Sequence, residues 1–150
     1  MALLVCAAAA LAVGGCQSHL TPLNSTSQFN DFNQQAAQEG KPTMVMFCKG
    51  GCALCGMLEP SLDKLAVEYK DCARFGKYEL VNFFWIVRNR ELRDQYNIRG
   101  YPTVILFEDG KETKRWVISY NIRSYREALD KAISPPPQEP TTRPDEADAM

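Results

Sequence analysis

The 150-residue chain lacks an excess of charge of either sign: 17 Lys and Arg stand against 18 Asp and Glu, for a formal net charge of -1. Scattered as they are, these charges form no basic face that could release counterions from nucleic acid, which excludes that class of partner. Histidine is nearly missing, with His19 the only one and no histidine downstream of it. No apolar run reaches the length of a membrane-spanning helix. The length also falls short of a second domain, although it suffices for one domain whose core folds unaided. Cysteine is not scarce. Six are many for a cytosolic chain of this size, yet too few and too unevenly spaced for a small disulfide scaffold without a core.

The first fifteen residues are one apolar run that reads as a signal-peptide core. It stops at Val13-Gly14-Gly15-Cys16, which resembles the bacterial lipoprotein processing box, where small residues precede a cysteine that is cleaved and acylated. That resemblance implies a lipid anchor on Cys16 and an exported, membrane-anchored protein facing the periplasm or the extracellular side. A cleaved secretory signal, or a buried apolar helix without lipid, is the alternative. Either export reading places the domain in an oxidising compartment. Residues 16–26 are polar with Pro and Asn and read as a flexible tether.

A first helix is expected from about Ser27 to Glu39, with Phe29, Phe32 and Ala36 on one face and Gly40 just past its end. The continuous apolar run Thr43 to Phe47 has the character of a strand covered on both faces. A long helix should follow Cys52 to about Lys70, with Leu54, Met57, Leu58, Leu62, Leu65 and Tyr69 as its apolar stripe and a kink at Pro60. Leu80 to Val87 predicts a second buried strand, with Phe83, Phe84 and Trp85 in the core. Arg90 to Tyr96 predicts a short helix. Thr103 to Phe107 and Arg115 to Ser119 form a hairpin about Asp109-Gly110, and a helix from about Ser124 to Ile133 closes the domain. This alternation implies an α/β fold, a mixed central sheet with helices on both faces, over residues 27–133. Residues 134–150 are proline-rich and acidic and are expected to stay disordered.

Cys52-Ala53-Leu54-Cys55 falls where a buried strand ends and a helix begins. The first sulfur there meets unpaired backbone N-H groups and the positive end of the helix dipole, which favours a thiolate. A thiolate is the nucleophile of disulfide exchange, and a thiol one turn later can resolve the mixed disulfide. Cys52 is thus the expected nucleophile and Cys55 the expected resolving thiol. Half a zinc site would look the same, but zinc needs two further ligands.

The stretch Phe47 to Pro60, with its Cys-x-x-Cys and a proline five residues after the second cysteine, resembles the active-site segment of the thioredoxin family. Ile98-Arg99-Gly100-Tyr101-Pro102-Thr103 resembles that family's second signature, in which the proline follows a cis peptide bond. The resemblance covers roughly Ser27 to Ile133 and implies a thioredoxin-like three-layer α/β/α sandwich. It further implies that Tyr101 and Pro102, with Gly51 and Gly100, bind an extended substrate segment by short strand addition. No bound cofactor is required. In that family a buried Asp six residues before the first cysteine assists proton transfer, and a buried Lys pairs with it. Here the first position is Met46, and the second is expected at Phe83, so the pair would be missing. Glu59 or solvent is left to accept the proton, although Glu59 reads first as a solvated helix residue. Gly51, Ala53 and Leu54 replace the family's usual neighbours of the cysteines, so its redox potential does not carry over.

Cys48 adds a third thiol, and Cys48-x-x-x-Cys52-x-x-Cys55 also matches the cluster loop of radical S-adenosylmethionine enzymes. Those need most of a barrel, and no further strand-helix units are available. Copper or zinc on the three thiolates of Cys48, Cys52 and Cys55 is a second alternative, without the downstream histidine that copper-delivery relatives use, whereas Cys48 reads first as a small buried residue at the strand end. Cys72 lies about 25 Å from Cys55 at ~1.5 Å per helical residue, out of reach of the pair. The expected function is disulfide exchange in exported proteins, with a redox donor or acceptor protein as second partner. A metal- or partner-binding module without turnover is the rival.

Overall fold

Alternation along one central strand organises the molecule: Met44, Met46 and Cys48 face one side, and Val45 and Phe47 the other, each at most 2 % exposed. With both faces apolar, that strand must be covered on both sides. The computed structural model describes residues 18–134. The expected signal segment, the Cys16 anchor and the tail beyond residue 134 lie outside them. The elements run β1 (Thr21–Leu23), α1 (Thr26–Gln38), β2 (Thr43–Lys49), α2 (Ala53–Glu68), β3 (Arg74–Val81), α3 (Arg90–Gln95), β4 (Thr103–Glu108), β5 (Lys111–Val117) and α4 (Ile122–Ile133). The sheet order is β1-β3-β2-β4-β5. β3 is parallel to both β1 and β2, whereas β4 is antiparallel to β2 and β5. The result is the expected mixed sheet between two helical layers.

Two cores follow from the alternation. On one face Met44, Met46, Val104 and Leu106 pack with Leu58, Leu62 and Leu65 of α2 and Tyr125 and Leu129 of α4. On the other, Val45, Phe47, Ile105 and Phe107 pack with Phe29 and Phe32 of α1 and Leu92 of α3. Each fully buried side chain of this kind contributes about 1.5–3 kcal/mol relative to exposure. The β4–β5 connection is a two-residue turn, Asp109-Gly110, both at positive φ (51° and 74°), as a primed hairpin turn requires.

Four expectations need correction. The stretch read as a tether contains β1, which lays Leu23, 3 % exposed, against the core beside β3. The second buried strand is Arg74–Val81 rather than Leu80 to Val87. Phe83, Phe84 and Trp85 are accordingly not core: they are 68, 77 and 72 % exposed in a turn beyond the strand. Leu54 and Met57 are exposed, because they lie off the inward face of α2, which is made by Cys55, Leu58, Leu62, Leu65 and Ala66. Trp116, by contrast, is buried against Tyr125, with ring centroids 4.5 Å apart. Among the described residues, no helix is long and apolar enough to cross a membrane.

Candidate active site

β2 delivers the chain to the top of the sheet, Gly50 and Gly51 turn it, and Cys52 caps α2. Gly51 is at φ 70°, a conformation that side chains with a Cβ avoid. Cys52 is extended (φ -80°, ψ 107°), and its Sγ accepts the Cys55 N–H at 3.2 Å in the manner of an N-cap. Charge on that sulfur therefore faces the positive end of a sixteen-residue helix. The two sulfurs stand 2.6 Å apart as free thiols. Cys52 is half-buried, whereas Cys55 is buried one turn deeper. Burial, then the neighbouring Cys52 sulfur, pushes the Cys55 thiol up to about 12.

The second loop meets the first at Cys52. The Tyr101-Pro102 bond is cis, and the Tyr101 carbonyl lies 4.0 Å from Cys52 Sγ. Thr103 Oγ1 donates to the Gly100 carbonyl at 2.7 Å, and the Ile118 N–H donates to the Pro102 carbonyl at 2.8 Å, so both ends of the loop are tied down. Tyr101 thus reaches the cysteines directly. Gly100 borders Val117 and Ile118, and Gly51 borders Phe83, so these two expected substrate-contacting glycines flank the site from separate elements.

Beneath Cys52 opens a pocket of about 260 Å³ whose walls include Cys48, Cys55, Glu59, Lys77 and Glu79. Cys48 is buried at its base; the thiol donates to the Tyr78 carbonyl at 3.5 Å, and burial pushes it up to about 12. Lys77 donates to Glu59 Oε2 at 2.7 Å. Burial opposes charge on Lys77, but the Glu59 bond and the neighbouring Cys48 and Glu79 outweigh it and hold the amine above the ordinary lysine value. In the sheet register Lys77 stands directly opposite Met46. The residue beside Met46 is therefore a lysine, not the expected Phe83, and its carboxylate partner comes from α2 rather than β2.

Sequence reasoning missed Lys77. The signal was the one basic residue inside the run between Phe75 and Leu80. It also missed Tyr120, whose hydroxyl donates to the Leu54 carbonyl at 3.1 Å and braces the first turn of α2. Among the described residues, no group of three or more His, Cys, Asp or Glu side chains is gathered to hold a metal ion, so the three-thiolate site weighed from spacing is not assembled. Cys72 is exposed at the far end of α2.

The family model for thioredoxin matches residues 24–133, which include both cysteines and the cis-proline loop. The chain belongs to the thioredoxin family. It is 32% identical over 105 residues to a thioredoxin of Alicyclobacillus acidocaldarius subsp. acidocaldarius, covering 69% of this chain and 93% of that one. It is 35% identical over 82 residues to a thioredoxin of Acidithiobacillus ferridurans, covering 55% and 70%. Protein disulfide-isomerase A5 of Mus musculus is 28% identical over 118 residues, 75% of this chain and 21% of that one. Among solved structures, thioredoxin NaTrxh from Nicotiana alata superposes with a TM-score of 0.65 at 20% identity, covering 78% of this chain and 95% of that chain. This thioredoxin-family chain is a thiol-disulfide oxidoreductase, and substrate proteins with thiols or disulfides and redox partner proteins follow from the family.

Proposed function

We propose that the protein exchanges disulfides in exported proteins through a Cys52 mixed disulfide, while held at a membrane by lipid on Cys16 and facing the periplasm or extracellular side. The observation that carries the exchange reading is the pair of free sulfurs 2.6 Å apart at the start of α2, the outer one half-exposed and beside the Tyr101 carbonyl. The processing box at Cys16 motivates the anchor.

In the reducing direction the Cys52 thiolate attacks one sulfur of a substrate disulfide, and the other leaves as thiolate. The Cys55 thiol gives up its proton and attacks Cys52 Sγ. That breaks the mixed disulfide, frees the reduced substrate and leaves Cys52 and Cys55 oxidised. A dithiol donor protein then reduces the pair; the oxidising direction is the same sequence reversed. With its thiol near 12, Cys55 needs a route for its proton. Glu59 and Lys77, which line the pocket next to it, supply that route. The Tyr101 backbone pairs with the extended substrate.

Cys55→Ser tests the reading. The variant should accumulate substrates disulfide-linked to Cys52, located by mass spectrometry, and Cys52→Ser should accumulate none. A redox titration of the wild type sets direction, with a midpoint near about -270 mV for a reductant and about -120 mV for an oxidant. A pair that never forms a reversible disulfide would leave the rival, a partner-binding module. Release of the protein from membranes by Cys16→Ser tests the anchor.

A further inference from the structure

Four consecutive large apolar side chains stand in water beside the cysteines: Phe83, Phe84, Trp85 and Ile86, at 68, 77, 72 and 60 % exposure. The segment is not frayed. Val81 pairs with Val87 across its base, and Asn82 and Ile86 exchange two bonds, backbone N–H to Ile86 carbonyl at 3.0 Å and Ile86 N–H to Asn82 Oδ1 at 2.9 Å. Trp85 is held at φ 62°, where non-glycine residues are uncommon. A hydrogen-bonded turn thus displays its apolar residues outward.

The turn is joined to the active-site loop. The Gly50 N–H donates to the Val81 carbonyl at 2.7 Å. The Phe83 ring covers Gly51 so closely that a Cβ there would lie 2.4 Å from Cδ2. Lys49 Nζ sits 3.2 Å from the Trp85 ring centroid. Residues 49, 50 and 51 each touch the turn, and residue 52 is Cys52.

We infer that this aromatic turn recognises apolar side chains flanking the reacting cysteine of a polypeptide substrate. The inference rests on the exchange reading of Cys52 and names its substrate class: locally unfolded, extended chains with Phe, Leu or similar residues near a disulfide. A chain joined to Cys52 leaves the sulfur past Tyr101 or past Gly51, and on the Gly51 side the first surface it meets is Phe83. An extended chain advances about 3.3 Å per residue, so side chains next to the substrate cysteine in sequence come within reach of the turn that covers Gly51. Folded proteins keep such side chains inside. Exposed aromatic clusters of this kind mark interaction sites. The arrangement does not suit insertion into a bilayer, which needs the apolar groups to project together. The Phe83 ring lies back along Gly51, edge-on to Phe84 at 5.6 Å and 87°, and the charged Lys49 Nζ sits over one face of the Trp85 ring.

The test is equilibrium binding of two fluorescein-labelled peptides to the full chain, by anisotropy. Both carry Ser where a substrate has Cys; one has Phe and Leu flanks and the other Ser and Gln. The apolar peptide should bind wild type more tightly than the polar one, and Phe84→Ser with Trp85→Ser should weaken only the apolar peptide, by at least about tenfold. Trp85→Phe should retain tight binding. Equal affinity of wild type and the double variant for the apolar peptide would overturn the inference. Parallel binding to phosphatidylcholine-phosphatidylglycerol vesicles separates the other occupant: vesicle binding lost in the double variant with peptide affinity unchanged assigns the turn to a membrane and also overturns it. Neither peptide has a thiol, so failure of the exchange reading is seen separately, as the absence of a Cys52 mixed disulfide in Cys55→Ser. Both altered side chains are more than 70 % exposed, and circular dichroism checks that the fold is kept.

Discussion

Replacing Gly50 and Gly51 by alanine, one at a time, distinguishes a backbone seat from a side-chain contact at the active-site loop. A Cβ at Gly50 would lie 2.6 Å from the Phe83 backbone nitrogen and 3.0 Å from the Asn82 carbonyl carbon. Those atoms belong to a hydrogen-bonded turn and cannot swing away. Gly50→Ala should therefore push the loop off its seat, at an overpacking cost of about 1–3 kcal/mol, and weaken the Gly50 to Val81 bond, about 0.5–1.5 kcal/mol more. We expect a loss near about 2–4 kcal/mol. At Gly51 the nearest atoms are the Phe83 ring, which is 68 % exposed and free to rotate outward. What remains there is the positive φ of 70°, costing about 1–2 kcal/mol for alanine. Urea titration of the reduced protein by circular dichroism measures both losses, provided the slope is unchanged. Trp85 emission should shift in Gly50→Ala, and Cys52 should form mixed disulfides more slowly there than in Gly51→Ala. Equal losses in the two variants, or a Gly50→Ala loss below about 1 kcal/mol, would refute the reasoning that the turn and the active-site loop are one unit.

Four further outcomes are expected. Iodoacetamide near neutral pH should modify half-buried Cys52 and exposed Cys72 and spare Cys48 and Cys55, both pushed up to about 12 by burial, as peptide mapping will show. The same shifts lie above the ordinary thiol value of 9.0, so the native state keeps protons the unfolded chain loses. Stability of the reduced protein should then fall as pH rises from about 9 towards about 12, by at most about 1.4 kcal/mol per unit per thiol, and Cys48→Ala should flatten that slope in urea titrations. Leu23→Ala should cost about 2–3 kcal/mol, because β1 buries that side chain in the core, whereas a free tether would lose nothing. Glu59→Gln and Lys77→Met should each change stability by less than about 1 kcal/mol, as expected for a part-exposed pair. Both should slow the release of substrate from Cys52 at neutral pH by about tenfold or more in stopped-flow assays.

Elements whose pattern is set by a single physical rule were legible in the sequence. β2 is a continuous apolar run, α1 has three apolar residues at helical spacing, and the Asp109-Gly110 turn needs φ values few other residue pairs tolerate; each falls within a few residues of expectation. β3 was misplaced because apolar content was followed and alternation was not. Its eight residues include Arg74, Lys77 and Glu79, the last two carried on a face that meets a wet pocket. The apolar Phe83 to Ile86 run then looked like the strand. β1 was illegible because three residues, one of them Pro22, carry no periodicity; the strand exists through pairing with β3.

At the site, what chemistry demands locally was legible and what the sheet brings together was not. Cys52 and Cys55 announce themselves by spacing, and Pro102 by its flanking motif. Lys77 becomes meaningful only through the parallel register that sets it opposite Met46, a pairing separated by thirty residues of chain. Once the register is known, Lys77 is seen beside Met46, with a carboxylate that does not come from β2. A lysine left alone there would face the buried Met46 on the strand side. Glu59 comes from the next element instead, on the turn of α2 that follows Cys55, and bonds the amine at 2.7 Å. The carboxylate stands on the wall of the pocket that Cys55 also lines. The charge pair is thereby kept within the site while meeting solvent, which lowers the desolvation cost a fully buried pair would carry.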